Sequence, residues 1–348
     1  MQAKIQTSQI LNLPEFDYQT PASKKDAVGL LFSSGGDAII SAGGTDLIPN
    51  MKNGTIKPKA LISLSRLSPE KESITADGAL RLDALSTLSD IAESPLIKLK
   101  VPTLANAAFH VGGQQIRNRA TLGGNLCQDT RCLYLNQSHG FQFVDACYKR
   151  GGDCCYPYPA EKRVCRSVFM SDTAPVLISL GAQLVILSNS GEKGVDINDF
   201  YTGDGLKPLK LGSAEMISAI LIPPESQKMQ CHFVKATPRG GLEFAMVSVA
   251  IALKIDGPDK KCGKARIAVG SINTSPLRAF KAEQEIVGHN LNEAIAAEVA
   301  RKVADEVKAL PHHGYSKGYL KQLVEVHTKR SLTAMIYPKE PLTHETSD

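Results

Sequence analysis

The sequence predicts an α+β protein in two parts, and three observations carry that prediction. Short apolar runs at residues 38–42, 59–64 and 80–85 read as strands and alternate with helix-period segments. From about Gln227 the character changes: residues 244–255 and 265–271 read as antiparallel strands joined by the turn-rich Asp256-Gly257-Pro258-Asp259. Between the parts stands Pro223-Pro224-Glu225-Ser226, which sets a boundary near residues 223–230. A chain of 348 residues is long enough for each part to bury a core, in three layers overall.

The elements follow in order. Ser23 can cap a helix over residues 24–32 that leads into the strand at Ala38, and residues 47–52 can open a second helix. The Lys57-Pro58 break precedes the strand at 59–64, and residues 87–93 and 95–109 read as helices. The apolar run 174–187 divides into a helix, 174–180, and a strand, 183–187. Interrupted by Ser179, Gly181 and Gln183, it is too short to span a bilayer. Leu291, Ile295, Val299, Val303, Val307 and Leu310 line one helix face, residues 315–329 form a further helix, and residues 341–348 read as a polar tail.

Composition excludes several classes. Hydrophobic residues make up 43% and charged residues 22%, as in ordinary globular proteins. The net charge of +5 is diffuse, Trp is absent and no basic block appears, so nucleic acid is not an expected partner. Residues 1–16 lack the cationic start and apolar core of a signal peptide, and a cytoplasmic protein is expected. His110, His139, His232, His289, His312, His313 and His327 read as surface or packing residues, and no catalytic acid, base or nucleophile stands out.

Six of the eight cysteines fall between Cys127 and Cys165. Reduced thiols make a disulfide framework unlikely in such a compartment. The successive separations, Cys132 to Cys147, Cys147 to Cys155 and Cys155 to Cys165, are 15, 8 and 10, looser than the paired C-x2-C of zinc modules. Loose spacing suits a [4Fe–4S] cluster reached from separate loop segments, with zinc and free thiols as the other readings. The intervening Lys149-Arg150-Gly151-Gly152-Asp153 and Tyr156-Pro157-Tyr158-Pro159 are loop-like. Cys154 competes with its neighbour Cys155, and Cys127 with Cys132.

Two of six Gly-Gly pairs sit in an informative context. Gly43-Gly44-Thr45-Asp46-Leu47 follows a buried strand and opens a helix, a place where backbone N–H groups can hold phosphate oxygens or simply turn. Thr121-Leu122-Gly123-Gly124-Asn125 sets hydrogen-bonding side chains on either side of a glycine pair, where a ligand could approach closely. No Rossmann G-x-G-x-x-G, Walker A loop or H-E-x-x-H is present.

Together these residues resemble the flavoprotein subunits of the molybdenum hydroxylases, the xanthine dehydrogenase family. The likeness runs from Phe16-Asp17-Tyr18-Gln19-Thr20-Pro21-Ala22 and Asp26-Ala27-Val28 through Ala42-Gly43-Gly44-Thr45-Asp46-Leu47, Ile116-Arg117-Asn118 and Thr121-Leu122-Gly123-Gly124-Asn125. It continues through Ser171-Asp172-Thr173-Ala174-Pro175 and Gly270-Ser271-Ile272-Asn273-Thr274-Ser275-Pro276-Leu277-Arg278-Ala279. The resemblance implies a two-part FAD-binding domain of the PCMH/vanillyl-alcohol-oxidase type over residues 1–226, divided near residue 58. A C-terminal α+β domain would follow over 227–340. Carried over by position, Ser41, Ala42, Gly43, Gly44, Thr45, Asp46, Leu47 and Ile48 form one side of the FAD cradle. Thr121, Leu122, Gly123, Gly124 and Asn125 form the other, with Asp172 and Lys235 as further contacts. Val111 falls where animal xanthine dehydrogenases place an aromatic beside the flavin.

One departure is informative. Between Asn125 and Ser171 lie 45 residues that carry the cysteines, where the family normally has a short link. This insertion, about 126–170, resembles that of the β subunits of 4-hydroxybenzoyl-CoA reductases, in which the loop carries a [4Fe–4S] cluster. On that resemblance the ligands are Cys132, Cys147, Cys155 and Cys165. The same resemblance implies electrons passing from ferredoxin through [4Fe–4S] and FAD to [2Fe–2S] clusters of a small subunit. From there they would reach molybdenum in a large subunit, within a dimer of heterotrimers, for reductive dehydroxylation. A conventional xanthine, aldehyde or CO dehydrogenase flavoprotein, with outward electron flow, is the alternative. A zinc-stapled scaffold is a further one.

Overall fold

The computed structural model describes residues 12–135, 144–160 and 164–338; the polar tail at 341–348 and His139 lie outside them. Three strands form the first, parallel sheet: β1 (Asp17–Gln19), β2 (Ala38–Ser41) and β3 (Ala60–Ser63), in the order β1-β3-β2. Helix α1 (Lys24–Ser33) starts where Ser23 accepts the Asp26 amide at 3.0 Å, and it buries Ala27, Val28 and Leu31 on that sheet. Helix α2 (Leu47–Lys52) follows the first glycine loop. Because β3 pairs in register with β2, the first sheet extends past the division expected near residue 58.

The second sheet is antiparallel, with the order β4-β5-β8-β6-β7. Its strands are β4 (Ser73–Ile74), β5 (Leu80–Asp83), β6 (Gln183–Ser188), β7 (Gly191–Asp196) and β8 (Met216–Ile222). Between β5 and β6 run α3 (Leu88–Glu93), α4 (Pro95–Lys100), α5 (Pro102–Phe109), α6 (Gln114–Arg117), α7 (Leu122–Leu126) and α8 (Thr173–Ser179). The single helix expected over residues 95–109 is two. Pro102 pushes Val101 to φ −144° and ψ 62°, out of the helical region, and restarts the chain as α5. Reciprocal bonds between Thr87 and Asp90 cap α3, and Ser94 caps α4.

The C-terminal part carries the third sheet, antiparallel in the order β12-β11-β10-β9. After α9 (Ile197–Phe200) and β8, these are β9 (Gln230–Ala236), β10 (Val247–Asp256), β11 (Lys261–Gly270) and β12 (Leu277–Arg278). Helices α10 (Phe280–Ile286), α11 (Glu293–Glu306) and α12 (Lys317–Ile336) cover one face. Strand alternation shows the arrangement. Val247, Val249, Ile251 and Leu253 pack in the core under these helices, whereas Ala250, Ala268 and Phe233 join the core of the second part through α8. No helix among the described residues is long and apolar enough to cross a membrane.

Leu320 of α12 is fully buried in the C-terminal core. Leu320→Ala should cost about 2–5 kcal/mol, read as a lowered urea midpoint at unchanged slope. A midpoint equal to wild type would show that α12 contributes little to this core.

Candidate functional site

A cavity of about 900 Å³ opens between the first and second sheets, with Ile40 on one wall and Ile217 on the other. Both glycine loops border it. Ala42, Gly43, Gly44, Thr45, Asp46 and Leu47 line it from the first loop, and Thr121, Gly123, Gly124 and Asn125 from the second. Ser41, Ile48 and Leu122 stand beside these without lining it.

The glycines are required by how the loops meet. A Cβ on Gly43 would lie 2.0 Å from the Arg119 carbonyl oxygen, and one on Gly123 would lie 2.8 Å from the Ala84 Cβ. Gly44 has φ +73°, which a side chain rarely adopts. The second loop is stitched to the end of β5: the Leu122 and Gly123 amides donate to the Ser86 and Ala84 carbonyls at 2.9 and 2.8 Å. The Gly124 amide donates to Thr121 Oγ1 at 3.1 Å, and Asn125 Oδ1 accepts from the hydroxyls of Ser171 and Thr173, both at 2.6 Å. In the first loop, by contrast, the amides of Gly43, Gly44, Thr45 and Asp46 donate to no group among the described residues. The first loop therefore offers donors, and the second shapes the wall. A cavity of this volume, mostly apolar with one face of open amides, fits an extended nucleotide cofactor such as FAD.

Val111 lines the cavity, and the aromatic found among its lining residues is Phe244, over whose ring the Arg131 guanidinium lies at 5.4 Å. Asp172 and Lys235 do not line it. They form a buried pair at 2.7 Å, and Lys235 Nζ also donates to the His110 carbonyl at 2.7 Å, just before Val111. Burial pushes the Asp172 carboxyl up to about 6, against the pull of Lys235.

The cysteine-rich segment forms a second, small cavity lined by Cys132, Cys147, Cys155 and Cys165. The stacked rings of Tyr134 and Tyr156, 5.1 Å apart, belong to the same wall. Burial raises the Cys132 and Cys155 thiols, with Cys165 and Cys147 adding like-charge repulsion to each, so thiolates here need a compensating cation. Cys127 lines the large cavity instead, its thiol pushed up to about 12 by burial, and Cys154 lines neither. Among the described residues no three His, Cys, Asp or Glu side chains are grouped to hold a single metal ion. Two glycines let the loops close. A Cβ on Gly152 would strike the Ala146 carbonyl oxygen at 1.7 Å, and one on Gly205 would lie 2.9 Å from Cys165 Sγ.

Sequence reasoning named Asp46 but missed its charged neighbours between the cavities. Asp46 pairs with Arg131 and accepts the Asp129 amide at 2.9 Å, while Asp129 pairs with Lys149. Burial raises the Asp46 carboxyl, and Arg131 opposes that. Only the position of Arg131 beside Cys132 hinted at the link.

Two outcomes follow. Gly43→Ala should strip most FAD from the purified chain, whereas Gly29→Ala, with open space around its Cβ inside α1, should leave flavin content unchanged. Equal flavin content in both variants would sink the loop-contact account. Asp172 has a folded pKa above its ordinary value, so its contribution to stability is fullest in acid and is lost as pH rises from about 4 to about 6. The stability of wild type relative to Asp172→Asn, from urea midpoints at stepped pH, should fall across that window. A rise would contradict the assignment.

Comparison with known proteins agrees with this geometry. Residues 14–225 match the family model "FAD binding domain in molybdopterin dehydrogenase", and residues 232–335 match "CO dehydrogenase flavoprotein C-terminal domain". The glyceraldehyde dehydrogenase medium chain of Sulfolobus acidocaldarius is 26% identical over 319 residues, covering 91% of this chain and 97% of its own. The aldehyde oxidoreductase FAD-binding subunit of Escherichia coli is 29% identical over 259 residues, 70% of this chain and 78% of its own. Carbon monoxide dehydrogenase from Hydrogenophaga pseudoflava contains a chain of the same fold, with a TM-score of 0.74 at 23% identity over 93% of this chain and 98% of that one. The chain belongs to the FAD-binding subunits of the molybdopterin dehydrogenases, the molybdenum hydroxylase family.

Proposed function

We propose that this chain is the electron-carrying FAD subunit of a cytoplasmic molybdenum dehydrogenase, passing electrons outward from a substrate oxidised on another subunit. A large molybdenum-cofactor subunit and a small [2Fe–2S] subunit are its proposed partners. The observation that carries the reading is the cavity of about 900 Å³ bounded by both glycine loops, in a chain whose cited relatives are dehydrogenases and oxidoreductases of aldehydes and CO. Bound FAD would supply two-electron acceptance and one-electron release. The chain's own residues hold and insulate it. The amides from Gly43 to Asp46 would take the pyrophosphate, Ile40 and Ile217 keep water from the walls, and the Lys235–Asp172 pair fixes the strand of chain leading to Val111.

The cysteine pocket favours a second feature and a second reading. Cys132, Cys147, Cys155 and Cys165 would hold a [4Fe–4S] cluster, because four thiols on one cavity wall match the donor set of such a cluster. A cluster in this pocket would also suit inward flow from ferredoxin, as in reductive dehydroxylation of 4-hydroxybenzoyl-CoA within a dimer of heterotrimers. The dehydrogenase names of the relatives support outward flow as the main reading.

Flavin, iron and sulfide quantitation on the anaerobically purified full chain tests the cofactor set. About one FAD with about four irons and four sulfides is expected, and Cys147→Ser or Cys165→Ser should remove the iron while leaving most FAD. Zinc, or iron retained in both variants, removes the ligand set. In the assembled complex, bleaching of flavin by an aldehyde or CO supports outward flow. Bleaching by reduced ferredoxin alone, with 4-hydroxybenzoyl-CoA consumed, replaces it with the reductase.

A further inference from the structure

We propose that Lys149 is the positioning residue that couples the flavin cavity to the cysteine pocket, so that occupation of one site sets affinity and potential at the other. The inference rests on the [4Fe–4S] reading above. Among the described residues Lys149 alone lines both cavities. Its side chain is 11% exposed, and three acceptors meet the three donors of its ammonium: the Asp129 carboxylate, Thr130 Oγ1 at 2.7 Å and the Gly205 carbonyl at 2.7 Å.

Each acceptor leads to a site. Asp129 donates its amide to Asp46 Oδ2 at 2.9 Å, and Asp46 belongs to the donor-bearing glycine loop. The Thr130 hydroxyl bonds that of Ser167, which lies 3.1 Å from Cys165 Sγ. Gly205 donates its own amide to the Cys165 carbonyl at 3.0 Å, and it comes that close only because it lacks a Cβ. A second tie runs parallel, since Arg131 pairs with Asp46 and adjoins Cys132.

A saturated, buried ammonium cannot turn toward one site without releasing a partner that serves the other. Its charge also acts at low dielectric, where it reaches anions in both cavities with little screening. Removing it leaves the Asp129 carboxylate unpaired between them. Coupling of this kind is reciprocal.

Affinity for FAD and its midpoint potential, measured on the full chain by flavin titration and spectroelectrochemistry, test the inference. Lys149→Met should weaken FAD about tenfold and raise the oxidised-to-reduced flavin ratio about tenfold at fixed potential, which for a two-electron couple is about 30 mV. In a double-mutant cycle, Cys165→Ser should weaken FAD about tenfold in wild type but less than about twofold in the Lys149→Met background. The same fold-change in both backgrounds overturns the coupling. Should Lys149→Met not fold, Ser167→Ala decides, since it cuts one of the two arms from Lys149 to Cys165 and spares the ammonium and the Gly205 arm. It should reduce the tenfold loss of FAD affinity on Cys165→Ser to about threefold, and undiminished sensitivity overturns the inference. An iron-free wild-type chain would instead remove the cluster reading, and the coupling with it. Iron present with an additive cycle removes the coupling alone.

Discussion

The site depends on one close approach: the α-carbon of Gly43 against the Arg119 carbonyl. The first loop leaves β2, the second joins α6 to α7 and is held to the end of β5, and a Cβ at 43 would stand 2.0 Å from that oxygen. Contact here sets the width of the cavity, because the second loop is already anchored to β5 through the Ala84 and Ser86 carbonyls. With one wall fixed, the first loop has a single way to sit. Its amides are then left without protein partners, which is costly unless an anion or water takes them. The geometry that closes the sheets together therefore also leaves this row of amides free to donate.

Asp46 extends this arrangement into the insertion. Its carboxylate takes Arg131 on one oxygen and the Asp129 amide on the other, so the start of the cysteine segment is tied to the nucleotide loop. Without such a tie, a long loop-like insertion would have little reason to pack beside the cavity. The packing of β10 completes the frame. With Ala250 on one face and Val249 and Ile251 on the other, it lies between two cores, and the same alternation turns Lys235 toward Asp172.

Much of the fold was legible because its signals are local. Ser23 caps α1 as its side chain predicts, and the apolar face from Ile295 to Val303 lies inward. Strand β8 was not read, although MISAILI is apolar apart from Ser218: a run buried on both faces lacks the alternation that marks a strand. Strand β9 was missed for another reason, since His232 and Lys235 look solvent-facing until α12 brings Ser331 to His232 and Asp172 meets Lys235. The glycine loops were legible through their spacing and resemblance. Their physical role was not, because the contact that excludes a Cβ joins Gly43 to Arg119, far apart in sequence. Lys149 was read only as part of a loop, and nothing local shows where an insertion of 45 residues folds back.

The charges between the cavities are the least economical part of the structure. Asp46, Arg131, Asp129 and Lys149 are all largely buried, and an apolar bridge of similar volume would hold the insertion at least as well. Stability alone does not account for them. Two cations flank two carboxylates and the charges sum to zero, so the network adds no net charge to the region. Yet each cavity wall presents a cation next to a carboxylate: Arg131 toward Phe244 and the nucleotide loop, Lys149 toward both sites. An anionic group in either cavity would find its nearest positive charge already fixed by hydrogen bonds and would need no rearrangement to meet it. Little reorganisation is what an electron-carrying subunit requires of its protein, since the charge that moves through it must be met by charges that do not.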